Sequence, residues 1–283
     1  GAIYKLLTDN NLYNNLVKEA TKVNIKLWTD YTIEIIEGLY TLSKSDSISS
    51  NYKLINPSKV SEKSWEEVLY ENCLCDGWQM NHSERLALTA LLAKHKPHCS
   101  IEIGTYKGGS LSLISQYSDI VFSIDIDPSI PEKFKQFNNV VFLTGSSEKI
   151  IPILFDELDK QGIPIDFILI DGDHSAEGIR KDINNIQHYI PKKPMFIMMH
   201  DSFNPDCRKG MLESEWEKSA YLDWVDLDFV PGRIVEHGGG GQGEMWGGLG
   251  LAYYKPSIRT GQITTNKTAD TMYSIIKNYC TRG

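Results

Sequence analysis

The chain has 283 residues, 41% apolar and 23% charged, enough to bury a sizeable core in one large domain or two small ones. A formal charge of −8 argues against an electrostatic grip on nucleic acid, which needs clustered Lys and Arg, and no apolar run is long enough to span a membrane. The 5 cysteines lack framework spacing, Cys73-x-Cys75 lacks the second pair a zinc site needs, and no basic-then-apolar leader is present, so reduced thiols and a cytoplasmic protein are expected.

Over 4–40, Leu6, Leu7, Leu12 and Leu16, then Ile25, Leu27, Trp28, Ile33 and Ile36, recur at helical intervals. Residues 41–61, rich in Ser, Asn and Lys, read as a connection or disordered stretch. A helix is predicted over 83–95, with Glu84 in its first turn and Leu86, Leu88, Leu91 and Leu92 as its apolar stripe. A regular alternation follows. Strands are predicted near 98–103, 120–125, 140–143, 165–170 and 195–199, and helices near 110–117, 130–138, 147–161 and 175–189. Strands separated by helix-length segments imply right-handed βαβ units and a parallel sheet. Segments 224–230 and 248–254 add two last strands, joined through the glycine-rich 238–243 loop, and 268–279 reads as a closing helix.

In such a sheet a ligand lies over the carboxyl ends of the strands, so the residues just after each strand carry the chemistry. After the first comes Glu102-Ile-Gly104-Thr105-Tyr106-Lys-Gly108-Gly-Ser110. The glycines permit a sharp turn and let a ligand approach main-chain N–H groups at a helix N-terminus. A carboxylate at 102 suits a cationic or hydroxyl-bearing ligand better than phosphates, and the spacing is not the Gly-x-Gly-x-x-Gly of dinucleotide sites; together these point to S-adenosylmethionine. An oxidoreductase using NAD is the first rival, but Tyr106 replaces the middle glycine, where the backbone must come closest to a pyrophosphate.

Asp125 ends the second strand and can accept ribose hydroxyls, although Asp127-Pro128 also suits a plain solvated turn. Ser146 and Ser147 can flank an adenine ring, cap the next helix, or do both. The fourth strand delivers Asp171-Gly-Asp-His174 and the fifth His200-Asp201, so Asp171, His200 and Asp201 are expected in one crevice. Their oxygens suit Mg²⁺ or Mn²⁺, and the imidazole also admits Fe²⁺ or Zn²⁺; the same pairs can instead cap helices or bond one another. His174, one turn beyond Asp171, has an ordinary pKa suited to a general base.

Together the 102–110 segment, Asp125, the 145–147 segment and Asp171-x-x-His174 resemble class I S-adenosylmethionine methyltransferases. Within these, the chain is similar to the metal-dependent O-methyltransferase branch typified by catechol O-methyltransferase. It looks most like bacterial macrolide-sugar and natural-product enzymes and their cephalosporin-pathway relative, over about residues 76–255. The resemblance implies an α/β fold with a Rossmann-like, doubly wound, seven-stranded sheet, mostly parallel with the last strand antiparallel. It also implies an N-terminal helical region over 1–75 and a helical tail over 256–283. It assigns Glu102, Gly104, Tyr106 and Ser110 to the methionine end of the cofactor, Thr105 and Gly108 to the cofactor site as well, Asp125 to the ribose, and Ser146 and Ser147 to the adenine. Asp171, also beside the cofactor, would ligate Mg²⁺ with His200 and Asp201, and His174 would be the base. Relatives usually carry Asp or Glu where this chain has His200, and the match at 77–80 is loose. The implied acceptor is a small molecule with a hydroxyl, such as a sugar or natural-product intermediate, and a homo-oligomer is expected. The remaining rivals are a non-catalytic methyltransferase-like binding domain and hydrolase or hydroxylase chemistry at the metal.

Overall fold

The structure is a computed structural model that describes residues 77–234 and 245–265, all within a compact unit running Leu69–Gly283. The readings over 4–61, Cys73, Cys75, the 238–243 loop and the 268–279 helix lie outside the described residues.

Helix α1 (His82–His95) leads into β1 (Cys99–Ile103), α2 (Gly109–Tyr117), β2 (Ile120–Asp125), α3 (Ile130–Lys133), β3 (Val140–Thr144) and α4 (Ser147–Lys160). Then come β4 (Phe167–Ile170), α5 (Ala176–Ile186), β5 (Met195–His200), α6 (Pro205–Leu212) and β6 (Leu222–Val230). The last described strands are β7 (Arg233–Ile234), β8 (Met245–Trp246), β9 (Leu249–Tyr254) and β10 (Thr264–Thr265).

The main sheet has the order β10-β6-β9-β5-β4-β1-β2-β3. Strands β1 to β5 pair in parallel, while β9 runs antiparallel to both β5 and β6. This is the expected Rossmann-like sheet, extended at one edge by the two-residue β10, which pairs parallel to β6.

The doubly wound form follows from the period-2 alternation of each strand. In β4, Ile168 and Ile170 meet Ile151, Leu154 and Leu158 of α4 and Ile179, Ile183 and Ile186 of α5 in one buried cluster. Phe167 and Leu169, on the other face, join Leu88 and Leu92 of α1 and Leu111 and Ile114 of α2. Strand β1 shares the alternation but places Ser100 and Glu102 on the α2 face, where Ser100 Oγ and Ser118 Oγ lie 2.7 Å apart.

The helix expected over 130–138 ends at Lys133, because Phe134 turns to φ −123° and ψ 25° and buries its ring with Phe137. Residue periodicity announces neither helix α6 nor the β7–β8 ribbon. Asn204, whose side chain accepts from the N–H groups of Asp206 and Cys207, followed by Pro205 at the first helical position, is the signal that marks α6. Among the described residues no helix is long and apolar enough to cross a membrane, and Cys99 and Cys207 are free and buried.

Candidate active site

The turn after β1 is built on Gly104, with φ +86°, whose N–H donates to the Ile124 carbonyl at 2.9 Å. A Cβ here would lie 2.1 Å from the Asp171 carbonyl oxygen, so the ends of β1 and β4 approach as closely as they do only because no side chain intervenes. The turn then wraps around Asp125. Its Oδ2 accepts the N–H groups of Thr105 at 2.8 Å and Tyr106 at 3.2 Å, and its Oδ1 accepts that of Asp127 at 2.8 Å. These bonds pin the carboxylate at the cavity wall with lone-pair capacity remaining on Oδ1. Tyr106 itself is exposed and has φ +48°, a conformation that costs a non-glycine residue energy.

Glu102 lies deeper. It is fully buried, and its Oε1 accepts from Ser110 Oγ at 2.6 Å and its Oε2 from Thr105 Oγ1 at 2.9 Å. Burial pushes its carboxyl up to about 8 against the lowering effect of those two hydroxyls. Thr105 and Ser110 line the cavity; Glu102 and Gly108 do not. Gly108, with φ +75°, is the N-cap of α2 and leaves room for the Phe134 ring, which a Cβ would meet at 2.5 Å.

Ser146 occupies the N-cap position of α4 without a side-chain capping bond, and Ser147 donates to Asp182 Oδ1 at 2.6 Å. Burial pushes the Asp182 carboxyl up to about 6, against the hydroxyl bond. All three residues line the cavity.

At the ends of β4 and β5 four side chains converge. Asp171, His174, His200 and Asp201 each offer one ligand-capable atom, all within 4.8 Å of one another. His200 Nδ1 is 2.9 Å from Asp171 Oδ1 and 3.5 Å from Asp201 Oδ2, while His174 Nε2 is 3.2 Å from Asp171 Oδ1. Asp201 holds φ +56°, and its Oδ1 accepts the Gly247 N–H at 2.7 Å, which anchors the strained residue. Burial alone would push His200 down, but Asp171, Glu84 and Asp201 hold it well above the ordinary histidine value. The bond to Asp171 raises His174 as well, against its own partial burial. Burial would raise Asp171, yet the two imidazoles keep it below the usual carboxylate range. Two carboxylates and two imidazoles facing one point form a donor set that fits a divalent cation.

Gly104–Tyr106, Asp125 and this four-residue cluster face one cavity of about 1230 Å³. Its wall also includes Trp78, Asn81, Glu84, Arg233 and Trp246; of these, Asn81 and Glu84 are the two that the sequence reading leaves out of the site. Asn81 and Glu84 do carry a visible signal. They form a capping box, with Glu84 N–H donating to Asn81 Oδ1 at 3.1 Å and Asn81 N–H to Glu84 Oε2 at 2.5 Å. Arg233 and Trp246 are partners in the β7–β8 ribbon, which strand periodicity over two residues cannot reveal.

Residues 101–202 match a family model described as a methyltransferase domain. An uncharacterised protein of Acanthamoeba polyphaga mimivirus is 36% identical over 102 residues, covering 32% of this chain and 46% of that protein. The chain therefore spans less than half the length of this curated relative. Among solved structures, a cofactor-bound protein from MTB is 15% identical with a TM-score of 0.45, covering 65% of this chain and 84% of its own. The O-methyltransferase from Bacillus cereus in complex with SAH is 13% identical with a TM-score of 0.44, covering 66% and 94%. An rRNA methylase from Streptococcus thermophilus is 10% identical with a TM-score of 0.41, covering 64% and 100%.

Proposed function

We propose that this chain, which matches a methyltransferase domain over residues 101–202, is an S-adenosylmethionine-dependent O-methyltransferase. Its acceptor is a hydroxyl on a small molecule, a sugar or natural-product intermediate, and a divalent cation assists. The observation that carries this reading is the shared cavity: the glycine turn with Asp125 and the Asp171, His174, His200 and Asp201 cluster line the same space. A volume of about 1230 Å³ is room for a nucleoside cofactor and an acceptor side by side.

S-Adenosylmethionine supplies a methyl group already activated by its sulfonium, so the chain's own task is chiefly to position a nucleophile. Asp125, held by the N–H groups of Thr105 and Tyr106, receives the ribose hydroxyls, while Ser146 and Ser147 lie on the adenine side. The turn through Gly104 and the start of α2 at Ser110 receive the methionine end. Asp171, His200 and Asp201 hold the cation, which when bound lowers the pKa of a hydroxyl beside it and orients it. His174, exposed to the cavity between Asp171 and Asp201, takes the hydroxyl proton. Trp78, Tyr106 and Trp246 offer apolar surface to the rest of the acceptor.

Isothermal calorimetry with S-adenosylmethionine and, separately, NADH tests the core of this reading. Heat with the first and none with the second is expected; folded protein that gives no heat with S-adenosylmethionine overturns it. Loss of methyl transfer in EDTA, restored by Mg²⁺, is the expected check on the cation.

A further inference from the structure

Glu84 lies in the first turn of α1, before the 101–202 segment, and its side chain is 1% exposed. A capping acid does not need such burial, and desolvating a carboxylate costs more than a cap repays. Its oxygens are directed inward. Oε1 accepts the Gly248 N–H at 2.5 Å, and Oε2 stands 3.5 Å from His200 Nε2. That nitrogen is buried and has no hydrogen bond, while the other, Nδ1, faces Asp171 and Asp201. A neutral imidazole carries one proton, and the nitrogen that keeps it cannot ligate a cation. An ionised carboxylate only accepts, and Asp171 at 2.9 Å competes for a proton on Nδ1. Once a cation takes up the two aspartates, Glu84 beside Nε2 is the acceptor that remains, and it favours the tautomer whose proton is on Nε2 and whose Nδ1 lone pair is free.

We propose that Glu84 is a positioning residue: it keeps the proton of His200 on Nε2 and so presents Nδ1 to a divalent cation shared with Asp171 and Asp201. The inference rests on the cation reading above and adds to it a residue from outside the matched domain. A carboxylate behind a ligating histidine fixes ring orientation and raises ligand basicity. Here one carboxylate also ties α1 to the Gly247–Gly248 turn, so His200 has fixed neighbours on both sides.

Glu84→Gln tests it. Glutamine keeps an oxygen for the Gly248 N–H, while the NH₂ in place of Oε2 donates toward Nε2 and moves the imidazole proton to Nδ1, at the cost of the one capping bond from the Asn81 N–H. Mn²⁺ affinity by calorimetry is expected to fall about tenfold to a hundredfold, with a cooperative melt within a few degrees of wild type. In wild-type protein labelled at histidine and loaded with diamagnetic Mg²⁺, nitrogen and carbon shifts should report His200 protonated at Nε2. Unchanged Mn²⁺ affinity in folded Glu84→Gln overturns the role of Glu84 and leaves the cation reading standing. Wild-type protein that takes up neither ion overturns both. Should the variant not fold, the wild-type tautomer decides: a proton on Nδ1 with Mg²⁺ bound refutes the proposal.

Discussion

His174 bridges two acids delivered by neighbouring strands: its Nε2 lies 3.2 Å from Asp171 Oδ1 and its Nδ1 3.4 Å from Asp201 Oδ2. The bond to Asp171 raises the His174 pKa above its ordinary 6.5. A general base works only when neutral, so kcat/KM should rise with pH through a limb set by His174, which lies above 6.5 at the lowest Mg²⁺ that supports turnover. Saturating Mg²⁺, which competes for the same carboxylates, should move that limb to lower pH. His174→Ala should abolish the limb and lower turnover by about a hundredfold or more, with S-adenosylmethionine affinity retained. Near-normal turnover in the variant would reject His174 as the base.

Glu102 predicts a pH-dependent stability. Its carboxyl is pushed from the ordinary 4.5 up to about 8 by burial, so between those values the folded chain holds a proton that the unfolded chain has released. The stabilisation is therefore complete below 4.5 and is lost as pH rises through about 8. Glu102→Gln keeps an acceptor for Ser110 or Thr105 and removes the titration. Urea unfolding at several pH values should show wild type losing stability relative to the variant by an amount on the order of a few kcal/mol across this window. Parallel pH profiles for the two proteins would show that Glu102 ionises freely in the fold.

Gly104 predicts a backbone cost. With φ +86° and a Cβ position 2.1 Å from the Asp171 carbonyl, Gly104→Ala must both strain the turn and push β1 from β4. The expected loss is at least about 2 kcal/mol in urea unfolding, together with weaker S-adenosylmethionine binding. An alanine variant as stable as wild type would mean that the turn takes another path.

Much of the fold is legible because its determinants are local. Apolar runs such as Phe167–Ile170, spaced by helix-length segments, announce parallel strands with helices on both faces. Short elements are less so. Helix α3 is cut off by the burial of Phe134 and Phe137, a packing demand that periodicity does not register, and β7, β8 and β10 have only two residues each. At the site, Asp125, Asp171, His174, His200 and Asp201 are legible from strand ends alone, since the carboxyl edge of a parallel sheet gathers them. Glu84 is visible only as a cap. The bond from Gly248 that brings it inward joins residues 164 apart in sequence.

The amino-acid order alone determined the alternation of strand and helix, and with it which side chains stand at the edge of the sheet. That much follows from backbone geometry and side-chain period, which act over a few residues. Tertiary structure decided the fate of each carboxylate: Asp125 held at the cavity wall by backbone N–H groups, Glu102 withdrawn behind Thr105 and Ser110, Glu84 set against His200. The three acids share one chemistry in the sequence. What separates them is desolvation and the donors that distant segments bring within hydrogen-bonding range, and both exist only once the sheet has closed around them.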